Sequence, residues 1–593
     1  MQPESKRRIL RERFREFARP YRRAFAVGFA LLAATNALAL GIPWLLRGAI
    51  RAMEAGAATA SLARFAGGMV ALALVQSVVR TQSRLAILGA SRKISFDIRN
   101  RFFAQLERLD ARFYDTWRTG EIMSRGINDL QLLQSFYGPG VLNLLNTAIV
   151  YVAVIFALFR IDVVLTVVAL SLFPALWLAV NRLSRRVYGH SLAVQEQLAL
   201  LSNRAQENLS GIAQVRIYAQ EEREIASFAS LCAEYRTRSI ALARTRGLLI
   251  ALIGLASGSG TIVVLAVGGT RVLSGRLPFA DFVAYNAYLA LLAWPTVALG
   301  WTVNVFQRGA GAMERIDEVL RLEPAIPSPT DAAEPALEPL HDDIEIRGLS
   351  YGYAGGGAGS ERAVLRDIHL TIPRGSRVAL VGPVGSGKST LASLLARIHP
   401  APRGAIFVGG IDLLDLPVAR VRRSTGFVPQ EGFLFSRSLR DNIALGRPAA
   451  TDAQVADAVR TARLDDEIAL LPDGLSTIVG ERGQTLSGGQ RQRATLARAI
   501  LPDPRLLILD DSLSSVDADT EKSILDGLRR HLAGRTSILI THRPSVLAEV
   551  DRIVVLDEGR LVEDGTHDEL LARGGVYFRL FRRQILEEGL ETR

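Results

Sequence analysis

Cysteine and lysine are scarce in this sequence, and long parts of its first half carry no charge. The single cysteine, Cys232, excludes an intrachain disulfide and a cysteine metal cluster, and we expect it to be a small buried side chain. Only four of the 71 basic residues are lysines, so each lysine position is informative. With 49% apolar residues and a mean hydropathy of +0.20, the chain is neither disordered nor collagen-like. Its 593 residues predict at least two domains.

The positive charge of the chain is confined to its apolar part. The net charge of +12 divides into +13 for residues 1–340 and −1 for residues 341–593. A nucleic-acid surface needs basic residues on a polar domain, whereas basic residues beside apolar runs indicate membrane topology. We therefore expect a membrane protein with no nucleic-acid partner.

Six apolar stretches are long enough to cross a bilayer as helices. They lie at about 24–46, 63–83, 136–159, 163–181, 247–270 and 282–305, and an amphipathic elbow helix at 5–19 precedes them. Nine basic residues within Met1–Arg23 place the amino terminus in the cytoplasm, and six spans bring both termini to that side. Since arginine dominance is typical of a GC-rich bacterial genome, we expect a multi-pass protein of the bacterial inner (cytoplasmic) membrane.

Two arginines, Arg80 and Arg84, follow the second span closely. An arginine at the centre of a span costs about 2.5–3.5 kcal/mol. Two interpretations stay open: the side chains extend to the inner interface, or they face an internal cavity.

A proline-rich stretch separates this half from the next. Five prolines within residues 324–340 predict a stiff linker, placed at 324–343. The predicted organisation is therefore a transmembrane domain at 1–323, a nucleotide-binding domain at 344–580 and a C-terminal tail at 581–593. The expected fold class is an all-α six-span transmembrane domain followed by an α/β P-loop ATPase domain.

The second half contains a phosphate-binding loop in its required context. A short β-rich run, Arg377–Val381, leads into a glycine loop and then a helical pattern. Backbone N–H groups of such a loop surround phosphate oxygens, the lysine neutralises the β- and γ-phosphates, and the following serine binds Mg²⁺. The predicted ATP-binding residues are Gly382, Gly385, Ser386, Gly387, Lys388, Ser389 and Thr390.

An acidic residue and a histidine each follow a further apolar run. The run Leu506–Leu509 predicts a buried strand ending at Asp510, whose carboxylate can hold Mg²⁺. His542 follows the run Ser537–Ile540, where an imidazole can contact the γ-phosphate.

Between these motifs lies the sequence Leu486-Ser487-Gly488-Gly489-Gln490. With the glycine loop before it and Asp510 after it, the chain resembles the ATP-binding cassette (ABC) family. Six spans ahead of one nucleotide domain resemble the half-transporters of the type I exporter class, also called type IV. The resemblance implies ATP and Mg²⁺ as cofactors and a dimer in which Ser487, Gly488, Gly489 and Gln490 face the γ-phosphate bound by the other subunit.

The resemblance also assigns roles to single residues. It implies that Tyr353 stacks on adenine, that Gln430 senses Mg²⁺ and the attacking water, and that Asp517 crosses the dimer interface. His542 corresponds to the switch histidine, and Gly480–Gly483 to a loop that contacts the membrane domain. The segments near Phe113–Trp117 and Gly211–Tyr218 resemble the two coupling helices, which would transmit nucleotide-driven closure to the spans.

The family pattern is broken at one position. The family has glutamate directly after the aspartate of the buried strand, whereas this chain has Asp511. The shorter side chain withdraws the carboxylate by roughly 1.5 Å, and a base must come within about 3 Å of the water that it polarises. We expect the site built on Lys388 to bind ATP and hydrolyse it slowly, while the intact signature completes a partner's site.

This asymmetry resembles the degenerate-site subunit of heterodimeric multidrug exporters. We therefore expect a second half-transporter as partner, membrane lipid around the spans, and ATP-driven export of a hydrophobic or amphipathic, drug- or lipid-like substrate by alternating access. Open alternatives are a homodimeric lipid or drug flippase, a membrane sensor that uses ATP without transport, and an importer of the same fold.

Amide and aromatic side chains within the spans are candidates for a substrate cavity. An equally good interpretation is that they form interfacial aromatic belts and interhelical hydrogen bonds. These residues are Asn36, Asn143, Asn146, Tyr285, Asn286, Tyr288, Trp294, Trp301 and Asn304.

Overall fold

The structure is a computed structural model that describes residues 12–171, 173–326, 340, 342–353, 362–480, 483, 485–512 and 518–591. Internal contacts divide the chain into two compact units. The first combines Met1–Phe103 with Met123–Leu320, and the second combines Ala104–Ile122 with Arg321–Arg593. The beginning of the predicted elbow helix and most of the predicted linker lie outside the described residues.

The described part of the first unit is helical. Its elements, together with the short helix α3 that belongs to the second unit, are α1 (Arg22–Glu54), α2 (Thr59–Arg108), α3 (Ala111–Thr116), α4 (Thr119–Ser124), α5 (Leu130–Ser135), α6 (Val141–Ile161), α7 (Val163–Ser171), α8 (Phe173–Ser210), α9 (Ile212–Ile217), α10 (Glu221–Val263), α11 (Gly269–Leu273), α12 (Phe279–Leu291) and α13 (Ala293–Leu320). Single π-helical turns join some of them, at Arg125–Asp129, Phe136–Gly140 and Val264–Gly268.

Four helices of the described chain are long and apolar enough to cross a membrane. They are Glu12–Glu54, Thr59–Arg108, Thr119–Ile161 and Phe279–Leu320, and a shorter apolar helix covers Gly260–Leu273. The first, second, third and sixth predicted spans fall on the four long helices. The fourth and fifth fall on α7–α8 and on α10 with its continuation, and the count of six stays a prediction.

The described part of the predicted elbow helix buries aromatic side chains. Phe17 is only 4% exposed, and the ring of Phe14 stacks on Tyr137 with centroids 5.2 Å apart. An apolar stripe on a short amphipathic helix is stabilised by such burial. This stripe therefore packs against the helices of its own unit.

Buried carboxylates bind arginines between helices of the first unit. Asp281, at the start of α12, is 6% exposed and accepts hydrogen bonds from Arg47 and Arg51 of α1, the latter at 2.9 Å. Asp162, between α6 and α7, accepts from Arg271 of α11 at 2.8 Å. Paired in this way, a buried charge costs far less than a lone one.

Cys232 differs from its prediction. It lies on α10 and is an exposed free thiol, so the expectation of a buried side chain is wrong. The residues that follow it, Ala233 and Glu234, are exposed as well, so an apolar core does not form around this part of the helix.

The second unit contains two β-sheets. Its strands are β1 (Ile344–Tyr353), β2 (Arg362–Ile372), β3 (Arg377–Val381), β4 (Ile406–Val408), β5 (Ile411–Asp412), β6 (Thr425–Val428), β7 (Leu506–Asp510), β8 (Thr536–Ile540), β9 (Arg552–Asp557) and β10 (Arg560–Gly565). The smaller sheet is antiparallel with the order β2-β1-β4-β5, and the larger has the order β10-β9-β3-β8-β7-β6.

All neighbours of the larger sheet are parallel except the edge pair β9–β10. Its strands are short apolar runs such as Leu506–Asp510, as expected for parallel strands covered on both faces. The remaining helices of the second unit are α14 (Lys388–Leu395), α15 (Val418–Ser424), α16 (Leu439–Ile443), α17 (Asp452–Thr461), α18 (Asp465–Leu470), α19 (Gly488–Ile500), α20 (Ala518–Leu532), α21 (Pro544–Leu547), α22 (His567–Arg573) and α23 (Val576–Glu591). The last helix continues past residue 580, where the sequence predicted a tail.

Replacing Asp281 by alanine tests the contribution of its ion pairs. The variant leaves Arg47 and Arg51 without their carboxylate, and we expect a loss of about 1–3 kcal/mol in unfolding free energy. The measurement is the thermal unfolding temperature of the detergent-purified protein. Glu54→Ala, which removes an exposed carboxylate at the end of α1, the helix of Arg47 and Arg51, is the control. An equal effect of both substitutions would contradict the role of the pairs.

Candidate nucleotide site

The predicted site residues of the second unit follow neighbouring strands of one parallel sheet. The adjacent strands β3, β8, β7 and β6 are parallel, so their carboxyl ends meet at one edge. The glycine loop follows β3, His542 follows β8, Asp510 ends β7, and Gln430 follows β6. The predicted strand–loop–helix context of the loop is confirmed, since β3 ends at Val381 and α14 begins at Lys388.

Three glycines of the loop, Gly382, Gly385 and Gly387, have backbone conformations that favour glycine, and the first two differ in the space around them. Gly382 has φ +151°, and a Cβ there would overlap the carbonyl oxygen of Leu556 in the neighbouring strand β9. Gly385 has φ +83°, but a Cβ there would meet no atom within 4 Å. The first position therefore needs glycine for space, and the second needs it for backbone conformation alone.

Lys388 folds back over the loop. Its Nζ donates to the carbonyl oxygens of Gly382 at 2.7 Å and Pro383 at 2.9 Å. Burial lowers the pKa of Lys388, and the carboxylates of Asp510 and Asp511 oppose that shift. The ammonium thus lies between the loop and the end of β7, where it can exchange carbonyl partners for phosphate oxygens.

Asp510 and Ser389 form an oxygen-rich pair. The hydroxyl of Ser389 hydrogen-bonds the carboxylate of Asp510, which is 5% exposed. Burial raises the pKa of Asp510, whereas this hydrogen bond and Lys388 lower it. Mg²⁺ prefers one or two carboxylates completed by hydroxyl, phosphate and water oxygens. The pair fits that preference, and the described residues contain no cluster of three or more His, Cys, Asp or Glu side chains that would favour another metal.

Asp511 has a left-handed backbone conformation. Its φ is +45°, and its N–H donates to the carbonyl oxygen of Ile540 at 2.9 Å. Aspartate is among the few non-glycine residues that adopt this region readily. The bond to the end of β8 fixes the backbone of Asp511, so the reach of its carboxylate depends on side-chain length.

His542 lies within the electrostatic influence of Lys388. Burial lowers the pKa of His542, and the positive charge of Lys388 lowers it further, so the imidazole is neutral at pH 7. Gln430 is exposed at the end of β6. The sheet therefore brings Lys388, Ser389, Asp510, Asp511 and His542 into one cluster, with Gln430 at the same edge.

Tyr353 ends β1 beside the phosphate-binding helix. Its hydroxyl lies 3.2 Å from the hydroxyl of Thr390, and its ring meets the imidazole of His399 edge-on at 5.3 Å. Nδ1 of His399 lies 3.8 Å from the carboxylate of Asp115 on α3, and the guanidinium of Arg112 covers Tyr351 at 5.7 Å. The predicted adenine-stacking ring and the first predicted coupling segment thus share one neighbour, His399.

The signature residues begin helix α19. The Ser487 hydroxyl accepts a hydrogen bond from the Gln490 N–H at 3.2 Å, and the Gln490 side chain accepts one from the Ser487 N–H. This reciprocal cap leaves the N–H groups of Gly488 and Gly489 at the helix N-terminus, where partial positive charge attracts anions. Within the described part of the chain, no hydrogen bond joins these residues to the cluster around Lys388.

Comparison with known proteins assigns the family. Residues 25–296 match the model of the ABC transporter transmembrane region, and residues 365–514 match the ABC transporter model. The chain is 33% identical to the probable multidrug resistance ABC transporter ATP-binding/permease protein YheI of Bacillus subtilis, over 97% of this chain and 98% of that protein.

The chain belongs to the ABC exporter family.

Two further similarities concern a lipid flippase and a solved structure. The ATP-dependent lipid A-core flippase of Syntrophus aciditrophicus is 30% identical over 97% of this chain and 95% of its own length. A structure of a bacterial Atm1-family ABC exporter with ATP bound has a TM-score of 0.77 and 28% identity, covering 95% of this chain and 98% of the other.

This ABC exporter is a half-transporter of the type IV class. It is a multi-pass membrane protein, it binds nucleotide, and it couples ATP hydrolysis to transport. ABC exporters of this class function as dimers. Asp517 and the central residues of the Gly480–Gly483 loop lie outside the described residues.

Sequence reasoning missed His399. No local pattern marks it, because it follows the phosphate-binding helix at a position with no motif of its own. It is 8% exposed, its Nδ1 has no hydrogen-bond partner in the described structure, and burial lowers the pKa of its imidazole while Asp115 opposes that effect. The contact between His399 and Asp115 becomes visible only in the folded second unit, where α3 lies beside His399.

Alanine substitutions at Gly382 and at Gly385 separate the need for space from the need for a positive φ. We expect Gly382→Ala to abolish ATP binding, since the added Cβ meets the backbone of β9 and displaces the loop. Gly385→Ala adds about 1 kcal/mol of backbone strain and should retain binding with lower affinity. Fluorescent-nucleotide titration of the full-length protein measures both, with thermal unfolding as the folding control. Equal affinities would contradict the steric argument.

Proposed function

We propose that this half-transporter exports a hydrophobic or amphipathic compound as one half of a heterodimer, and that its own ATP site hydrolyses slowly. The observation that carries the proposal is Asp511 in place of the family glutamate, beside an intact Ser487–Gln490 signature. The proposed location is the bacterial inner membrane with both termini in the cytoplasm, supported by the basic residues of Met1–Arg23.

The printed descriptions of relatives support export of compounds of this kind. The Escherichia coli relative MdlA, 32% identical over 88% of both chains, is described as multidrug resistance-like. The names of two other relatives refer to multidrug resistance and to lipid A-core. Both substrate classes are amphipathic or hydrophobic, and alternating access between two states of the dimer is the proposed route.

The proposed nucleotide contacts use the cluster at the carboxyl edge of the sheet. Tyr353 would stack on adenine, the loop N–H groups of Gly382–Thr390 would surround the phosphates, and Lys388 would move from its carbonyl partners to phosphate oxygens. Ser389, Asp510 and Gln430 would hold Mg²⁺, which neutralises charge on the β- and γ-phosphates when bound. The mutual hydrogen bond of Ser389 and Asp510 supports this assignment.

Asp511 and His542 are the proposed catalytic residues. The Asp511 carboxylate would accept a hydrogen bond from the attacking water, and the neutral His542 would donate to the γ-phosphate. Because the backbone of Asp511 is tied to Ile540, the missing methylene is not recovered by a small backbone shift. A misplacement near 1 Å can cost about 10²-fold in rate, so ATP stays bound here as a structural bridge.

The intact signature of this chain would complete the ATP site of the partner subunit. Ser487, Gly488 and Gly489 would cover the γ-phosphate held by the partner, and Asp517 would contribute to the interface. A partner with glutamate at the position equivalent to Asp511 would then carry the site that hydrolyses ATP quickly.

The two coupling helices would be α3 and α9. The exposed side chains of Ile217 and Tyr218, at the end of α9, support a contact with another subunit.

Turnover with and without the partner tests the heterodimer. We expect the purified chain alone to hydrolyse ATP about 10²-fold more slowly than its complex with the half-transporter encoded beside it. The measurement is phosphate release in proteoliposomes at saturating ATP. Rapid turnover by the chain alone would favour the homodimeric flippase, and turnover that no transported compound stimulates would favour a sensor.

Lengthening the side chain at position 511 tests the geometry of the site. We expect Asp511→Glu to raise the turnover of the chain alone by one to two orders of magnitude, since the carboxylate regains the lost reach. Asp511→Asn is the control, because it keeps the length and removes the base. An unchanged rate for the glutamate variant would mean that hydrolysis is limited elsewhere.

A further inference from the structure

A cavity of about 280 Å³ lies among the helices of the first unit. Its walls come from α1, α2, α6 and the junction of α12 with α13. Part of the wall is apolar and includes Leu40, Val150 and Trp294. The remainder is polar and nitrogen-rich, with the side chains of Asn36, Gln76, Arg80, Arg84, Asn143 and Asn146. The sequence named the three asparagines and Trp294 as cavity candidates.

Other sequence candidates are absent from this lining. Tyr285 is fully buried between helices, with its hydroxyl 3.3 Å from Thr166, and the Tyr288 hydroxyl donates to the carbonyl oxygen of Leu40 at 2.9 Å. Both tyrosines are therefore held in interhelical hydrogen bonds. The polar part of the lining comes instead from α1, α2 and α6.

Arg80 and Arg84 lie on one face of α2 because they are four residues apart. Both are exposed and line the cavity, and neither has an ion-pair partner in the described parts of the chain. Other arginines of this unit are paired across helices: Arg47 with Asp281, Arg271 with Asp162, and Arg315 with Asp129. Arg80 and Arg84 differ from these three arginines because they line the cavity and have no paired carboxylate among the described residues.

The lining makes the cavity electropositive. No acidic side chain is among its described lining residues, and the amide of Asn36 is already engaged, donating to Leu32 and to Asn146 at 3.1 Å. An arginine at the centre of a span costs about 2.5–3.5 kcal/mol, and Arg80 and Arg84 lie near the end of the second predicted span, within the long helix α2. Such charges are retained where they face a ligand or a water-filled path. A cation in this cavity would meet repulsion without compensation.

We propose that Arg80 and Arg84 bind the oxyanionic head group of an anionic amphipath, whose apolar part packs against Leu40, Val150 and Trp294. Guanidinium groups bind phosphate and carboxylate oxygens bidentately, and the side-chain amides of Gln76, Asn143 and Asn146 supply further hydrogen bonds. This inference rests on the proposed export function and specifies its substrate class. Arg80 and Arg84 are specificity residues in this scheme.

A pair of ligands with the same tail and opposite charge tests the inference. Full-length protein in phosphatidylcholine nanodiscs is titrated with dodecyl phosphate and with dodecyltrimethylammonium, without ATP. We expect dodecyl phosphate to bind at least about tenfold more tightly. Arg80→Gln and Arg84→Gln should each weaken dodecyl phosphate binding by about tenfold and leave the cationic ligand unaffected or tighter.

Two kinds of variant serve as controls, one for the loss of an arginine elsewhere on α2 and one for charge without the guanidinium group. Arg64→Gln makes the same change on α2 outside the cavity and should leave both affinities unchanged. Arg80→Lys and Arg84→Lys keep the charge and should retain the preference for the anion. They also keep the inference testable if a glutamine variant unfolds.

The outcomes separate this inference from the proposed function. Equal affinity for the two ligands, or glutamine variants that bind dodecyl phosphate as the wild type does, overturns the inference. Because binding is measured without ATP, an absence of ATP-driven transport in proteoliposomes would refute the proposed function and leave a measured anion site. Adding phosphatidic acid to the nanodiscs identifies the source: competition indicates a lipid head group, and its absence indicates a soluble amphipath.

Discussion

The negative charge of a bound triphosphate must be balanced by groups from several separate segments of the chain. The order of parallel strands β3, β8, β7 and β6 brings those segments together at one edge of the sheet. Lys388 and Ser389 begin the helix that follows β3, Asp510 ends β7, and His542 follows β8. Without this order, the glycine loop would be an isolated anion-binding turn, since neither a base nor a magnesium ligand would lie beside it.

Two adjacent carboxylates in the site have different surroundings. Asp510 is buried beside the Ser389 hydroxyl and the Lys388 ammonium, which suits a group that holds a cation. Asp511 follows in a left-handed conformation that is fixed by the end of β8. The protein therefore preserves the machinery for binding nucleotide, while side-chain length limits the group proposed to act on water. The proposed division of binding and hydrolysis between two subunits is compatible with this arrangement, because the two tasks would depend on different residues.

In the first unit, the arginines that pair with buried carboxylates differ from the arginines that line the cavity. Carboxylates such as Asp281 and Asp162 lie at helix ends and bind arginines from neighbouring helices, which lowers the cost of their burial. Arg80 and Arg84 instead border a cavity, together with amides and apolar side chains. In the second unit, His399 contacts both Tyr353 and Asp115. It therefore joins the predicted adenine-stacking residue to the first predicted coupling segment, although no motif marks it.

Motifs and hydropathy are local properties, so the features that depend on them can be predicted from the sequence alone. The glycine loop, the strand ending at Asp510, the cap formed by Ser487 and Gln490, and the long apolar helices all follow from neighbouring residues. Membership of the family, and the departure from the family pattern at Asp511, can be predicted from the sequence in the same way. Other features could not be predicted from neighbouring residues. They are the exposure of Cys232, the interhelical bonds of Tyr285 and Tyr288, the cavity position of Arg80 and Arg84, and the contacts of His399. Those features depend on which helix faces meet, and the partner of a given face lies tens to hundreds of residues away along the chain.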